Sequence, residues 1–436
     1  ATILRDDDAV LLEYSAGAEN SYAWVISHDG FKSYQLPPQK VINEAVQRVY
    51  SLSSSPPVGS GETELAQATA KLSKLVLEPV AASLNKPRII VVADGSLNYI
   101  PFQLLRASAS TNEPLISKYE VINVPSASIL GQLRQEKQQR RPRSKILAAF
   151  GDPVFPSNYA QYKNSNSGEL LAVAKTTEVS EPWRRAWRSV EINADTFDPS
   201  VIQPLAYSKL ELKNLSDIAG PESFVARGFD ASRQILETTD LSNYSILHFA
   251  THGVLDPKNP EFSGFFLSMV DATGRPQNGF ITMQDVFRLQ APVDLVVLSA
   301  CRTGLGKDVR GEGLIGLTRG FMYAGASSVV ASLWKVDDEA TADLMKHFYT
   351  NMLQKGMRPA EALRVAQNTL RQDPHWQSPH FWAGFTLQGE FNQPIGVPNG
   401  AGSFAVQKAV GALLLLLLLT GIAWVFWRRR ATKVTK

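Results

Sequence analysis

Cys301 is the single cysteine of this chain, and His252 stands 49 positions before it. A thiol attacks as its thiolate, and imidazole is the side chain that can take that proton near neutral pH and return it to a leaving group. A cysteine and a histidine so paired can open a carbonyl carbon, provided that hydrogen-bond donors await the oxyanion. Gly253 leaves room for a substrate beside its own N–H, and the Cys301 N–H is the natural second donor.

Both residues sit where apolar runs end. Val293 to Leu298 leads through Ser299-Ala300 into Cys301, and Ile246 to Ala250 leads through Thr251 into His252. Unbroken runs of this kind read as parallel strands buried on both faces, and such sheets place chemistry beyond the carboxyl ends of their strands. Further strands are expected over 265–270, 328–333 and 380–387. Helices are expected over 283–289 behind a Thr282-x-x-Asp285 capping box, and over 314–324, 339–355 and 359–371. Earlier in the chain the reading is a hairpin of 10–14 and 22–26, a strand into Leu36, helices over 41–50 and 63–84, and strands over 88–93 and 146–150. The fold class is α/β with a largely parallel central sheet flanked by helices. A faint echo between the strand before Asp94-Gly95 and the strand before Cys301 raises a first half built like a peptidase but without its catalytic residues. The expected division is an N-terminal half over 1–145 and a catalytic half over 146–395, with a turn-rich insertion loop at 153–204.

Composition narrows the classes. With 436 residues and 44% apolar content the chain can bury a large core, and a net charge of +3 does not argue for nucleic acid, so no nucleic-acid partner is expected. One cysteine excludes an internal disulfide and any multi-cysteine metal site, and no metal or cofactor is expected. His248 shares a strand face with His252, but no third ligand cluster accompanies them, so it reads as a core or orienting residue. Gly311 to Gly316 spells a dinucleotide fingerprint at the wrong distance from a strand end. It is taken as a loop near the cleft; an NAD-binding oxidoreductase would require that loop to abut a strand.

The chain opens at Ala1 without a methionine, which reads as the middle of something longer. After a linker at 396–408, residues 409–427 form an uncharged apolar run, at 1.5 Å per residue about 28 Å if helical. Trp424, Trp427 and the basic tail 428–436 flank it, so a single-pass membrane anchor with a cytoplasmic tail is expected, the side of the catalytic domain being left open. The basic cluster Arg134, Lys137, Arg140, Arg141, Arg143 and Lys145 reads as a solvated linker or processing site. Trp183 to Arg188 reads as an amphipathic cover over the core.

His248-Phe249-Ala250-Thr251-His252-Gly253, Leu298 to Gly304, Gly311-Glu312-Gly313 and Ser332 to Asp338 together resemble the CHAT domain, a family of bacterial caspase-like peptidases related to separase and the caspases. Leu97 to Phe102 and Phe381 to Phe385 fit as well, so the resemblance covers about Val10 to Glu390. It implies a caspase-like fold and a cysteine endopeptidase with His252 as base and Cys301 as nucleophile. It also implies a protein substrate, an activating protein partner and a repeat domain upstream. Ser299, Asp337 and Asp338 are the substrate-pocket candidates; the two acids also suit capping of the helix that follows. The expectation is a membrane-anchored cysteine endopeptidase. Its alternative is a catalytically silent relative that keeps the fold as a membrane-tethered interaction module.

Overall fold

The computed structural model describes residues 4, 8–107, 113–140, 143–167, 202–254, 263–299, 301–302 and 312–395. These fall in one compact unit, Ala1–Ile395.

Within it the chain forms β1 (Ala9–Ser15), β2 (Ser21–Ser27), β3 (Gly30–Leu36), helices α1 (Gln39–Ser53) and α2 (Gly61–Val76), β4 (Arg88–Val92), β5 (Glu120–Asn123) and α3 (Ala127–Gln138). The second half follows with β6 (Lys145–Pro153), α4 (Tyr159–Ser167), α5 (Ser208–Ala219), β7 (Phe224–Gly228), α6 (Arg233–Thr238), β8 (Tyr244–Ala250), β9 (His252–Val254), β10 (Gly264–Phe266), β11 (Phe280–Thr282) and α7 (Met283–Arg288). The remaining elements are β12 (Leu295–Leu298), β13 (Cys301–Arg302), α8 (Glu312–Tyr323), β14 (Ser328–Ser332), α9 (Asp338–Tyr349), α10 (Pro359–Gln372), α11 (Pro379–Trp382) and β15 (Phe385–Gly389).

Among the described residues one sheet holds eleven strands in the order β3-β2-β1-β4-β5-β15-β14-β12-β8-β6-β7. Strands before Lys145 fill one side of it and later strands the other, meeting where β15 lies parallel to β5 at Gln388 and Asn123. From β14 through β12, β8 and β6 to β7 every pairing is parallel. Every residue of β8 and β12 is buried, which is why neither strand alternates in sequence. Phe249 stacks on Phe150 of β6 and meets Phe265 at 4.5 Å and Phe321 of α8 at 5.8 Å, locking β8 into the core.

A second sheet, β11-β10-β9-β13, stands at the carboxyl ends of β8 and β12. Each of those strands leaves the main sheet and enters the small one. Gly264 lets β10 run close to β11: a Cβ there would come within 2.2 Å of the Ile281 carbonyl oxygen.

The capping box forms as its sequence requires, the Thr282 hydroxyl accepting from Asp285 N and the Asp285 carboxylate from Thr282 N. Other expectations change. The helix expected to run to Lys355 ends at Tyr349 and continues as a π turn, Thr350–Gln354, before Gly356 at φ 70°. Residues 380–382, expected in a strand, form α11 instead, because Pro379 is set for the first helical turn. Of the strand expected over 265–270, only the first two residues lie in β10.

Arg134, Arg140 and Arg143 of the basic cluster are not solvated linker groups; Arg141 lies outside the described residues. Arg134 pairs with Glu390 at 2.7 Å, Arg140 donates to the Val293 carbonyl at 2.8 Å and to that of Gly325, and Arg143 donates to the Ser242 and Pro292 carbonyls. These carbonyls belong to the turns that feed β8, β12 and β14, so the guanidinium groups staple the crossover beneath the sheet. The insertion at 153–204 carries α4; Trp183 to Arg188 lies outside the described residues.

The membrane reading is corrected. No helix among the described residues is long and apolar enough to cross a membrane, and 409–427 lies outside them. An apolar run of sufficient length is a statement about hydropathy, whereas a span also needs a helix that satisfies its own backbone.

Candidate active site

Leu298 pairs with Phe249 in the main sheet, and three residues further along each chain Cys301 pairs with His252 in the small one. The register survives the change of sheet, so the backbone sets the two residues opposite each other on adjacent parallel strands, about 4.8 Å apart in general. Gly253 lies between Arg302 on one side and Phe265 on the other.

His252 is buried, with 8% of the residue exposed. Its Nε2 lies 2.7 Å from the Gln203 carbonyl oxygen, which can only accept, so the ring proton sits on Nε2 and the basic lone pair on Nδ1. Nδ1 is buried and meets no hydrogen-bond partner among the described residues. Phe155 packs on the ring at 5.7 Å, within a small apolar cluster that includes Ile202, Val254 and Phe266. Burial holds the imidazole pKa below its ordinary value; the Gln203 carbonyl opposes that, and the charge of Lys335 adds to it. A depressed pKa keeps His252 neutral, the form a base requires.

The remaining candidates are placed differently. Ser299 is buried, and its Oγ finds no partner among the described residues. Asp337 caps α9, accepting from Glu339 N and Ala340 N at 3.0 Å each. Asp338 accepts from Tyr207 N at 2.7 Å, and its burial raises the carboxyl pKa. Both acids accept from backbone N–H groups, and both are half-buried. His248 belongs to a buried cluster behind the site, its Nδ1 3.0 Å from the Tyr349 hydroxyl and its Nε2 3.0 Å from Glu211. Among the described residues no three His, Cys, Asp or Glu side chains gather as a metal site.

Sequence reasoning missed Gln203, Phe155, Glu211 and Lys335. Gln203 acts through its carbonyl, so its residue type carries no signal. Pro204 behind it does, since the residue before a proline favours extended backbone. Glu211 had a clearer mark, an acid in the buried helical stripe Ser208, Glu211, Leu212 and Leu215.

Similarity to known proteins agrees with this architecture. The separase-securin complex of Saccharomyces cerevisiae matches with a TM-score of 0.52 at 9% identity, covering 91% of this chain and 31% of that chain. That likeness shows a shared fold, mixed α/β and caspase-like. Tetratricopeptide repeat protein 28 of Homo sapiens and that of Mus musculus are each 26% identical over 372 residues. The match takes in 76% of this chain but only 13% of either relative's length. The sequence model of the CHAT domain matches residues 66–390, most of the folded unit, and the chain belongs to the CHAT domain family.

Proposed function

We propose that this chain is a cysteine endopeptidase that cuts a protein substrate through Cys301 and His252. The observation that carries the reading is the pairing of these two residues across β9 and β13, with the His252 proton fixed on the side away from its basic nitrogen.

In this reading Nδ1 of His252 takes the Cys301 thiol proton as the sulfur attacks the scissile carbonyl carbon. The tetrahedral oxyanion receives hydrogen bonds from the Gly253 and Cys301 N–H groups. As the C–N bond breaks, His252 gives the proton to the leaving amine, and the acyl group remains on sulfur as a thioester. Water, deprotonated by His252, then attacks the thioester and releases the new carboxyl terminus and the thiol. No cofactor enters these steps. Ser299, two residues before the nucleophile, borders the pocket for the substrate side chain. A tetratricopeptide-repeat segment in the same polypeptide and a regulatory protein partner belong to this proposal, supported by the curated relatives and by the securin-bound state of the structural neighbour.

The test is cleavage of a peptide library by the purified chain, with and without a thiol-directed inhibitor. Cleavage that is blocked by the inhibitor and lost in Cys301→Ala supports the assignment; cleavage that persists in that variant ends it.

A further inference from the structure

Behind the site three polar side chains meet in the core. Glu211 of α5 is 2% exposed, and His248 of β8 and Tyr349 of α9 are fully buried. Glu211 Oε1 stands 3.0 Å from His248 Nε2, within ion-pair distance although off the hydrogen-bonding line. With the proton on Nε2 facing this carboxylate, Nδ1 accepts from the Tyr349 hydroxyl. Burial, and then the nearby Glu211 charge, keep that phenol protonated. The other charged group that acts on Glu211 from α9 is Asp338, a like charge that offers it no compensation.

Burying polar side chains costs desolvation that a well-packed apolar core would not carry, so the presence of this cluster points to something besides stability. Its location shows what it can do. Residues 202–207 run past His252 and enter α5, and the path is fixed at three successive points. Gln203 is held on His252, Tyr207 on Asp338, and Glu211 on His248, at 2.7, 2.7 and 3.0 Å. Two of these anchors grip the chain that carries His248 and His252, Asp338 ties the same segment to α9, and Tyr349 of α9 meets His248.

We propose that Glu211 and His248 are positioning residues for His252. Their contact seats α5 against β8 and thereby holds the Gln203 carbonyl on His252 Nε2, fixing the tautomer whose basic nitrogen is Nδ1. This deepens the peptidase reading, since a base of defined tautomer matters only if His252 works as one, yet its test needs no cleavage.

The six histidines of the full chain permit ring-selective ¹⁵N NMR, with His252 assigned from its loss in His252→Gln. In the parent chain the ring nitrogens are expected to report an Nε2–H tautomer and a depressed midpoint. In Glu211→Gln, similar in size but uncharged, the Gln203 acceptor that raises the midpoint is loosened, so the midpoint is expected to fall further, with the two tautomers mixing. Tyr349→Phe removes one hydroxyl and should move both signals less, in the same direction, and it carries the test if Glu211→Gln does not fold. A lowered melting temperature with His252's midpoint and tautomer unchanged would mean that the cluster is structural only, and would overturn the proposal. Loss of the peptidase reading would appear separately, as cleavage that does not depend on Cys301.

Discussion

Cys301 and His252 are register partners in adjacent parallel strands, and their pairing continues the Leu298–Phe249 register across a change of sheet. Two chain segments far apart in sequence are thus delivered to one edge by backbone hydrogen bonding alone. The expected consequences follow from that edge and from what surrounds His252.

Removal of the base leaves the thiol without a proton acceptor. His252→Gln is expected to lower kcat/KM for a cleaved peptide by about 10² to 10⁴, the usual worth of a positioned general base. Cys301→Ala should abolish cleavage. Steady-state kinetics of both variants against the parent chain check this, and a His252→Gln chain as fast as the parent would remove the histidine from the mechanism.

The pH profile should carry the mark of His252. Its pKa is depressed, so the neutral base persists as pH falls below the ordinary imidazole value, and the acidic limb of kcat/KM lies at correspondingly low pH. Lys335→Glu replaces a repelling charge with an attracting one, which favours the imidazolium. The acidic limb is then expected to move to higher pH, and measured profiles of the two chains should show it. A shift the other way would mean that Lys335 does not act on the base.

Asp337 separates capping from substrate recognition. Loss of its two backbone acceptor bonds in Asp337→Ala is expected to cost about 1 kcal/mol, read from the urea midpoint, with the order of preferred peptides unchanged. A changed preference at unchanged stability would return Asp337 to the pocket.

Phe249 tests how far the core supports the site. Its ring touches Phe150, Phe265 and Phe321, joining β8 to β6, β10 and α8. Phe249→Ala should destabilise the fold by about 3–5 kcal/mol in denaturant unfolding. Phe31 lies 62% exposed on the edge strand β3, and Phe31→Ala is expected to change the same midpoint little.

Much of the frame was legible from residue order. The runs ending in Ala250 and Leu298 announced doubly buried strands, the Thr282 and Asp285 spacing announced a capped helix, and the alternation of strands and helices announced an α/β sheet. These features are local, or nearly so, and local sequence encodes them through periodicity and capping. The aromatic stretch 380–387 misled because composition outweighed the helix start set by Pro379. Arg140 and Arg143 misled because a charged residue reads as solvated until the carbonyls that will receive it are known.

The sequence by itself determined which residues could do chemistry: one thiol, one histidine at a strand end, and glycines where a substrate needs space. Only the tertiary structure decided that Cys301 lies opposite His252, that the Gln203 carbonyl chooses the tautomer, and that Asp337 and Asp338 serve the backbone. The physical reason is that hydrogen bonds between distant segments depend on where the backbone passes. A carbonyl oxygen, which every residue has, leaves no trace in the identity of its side chain.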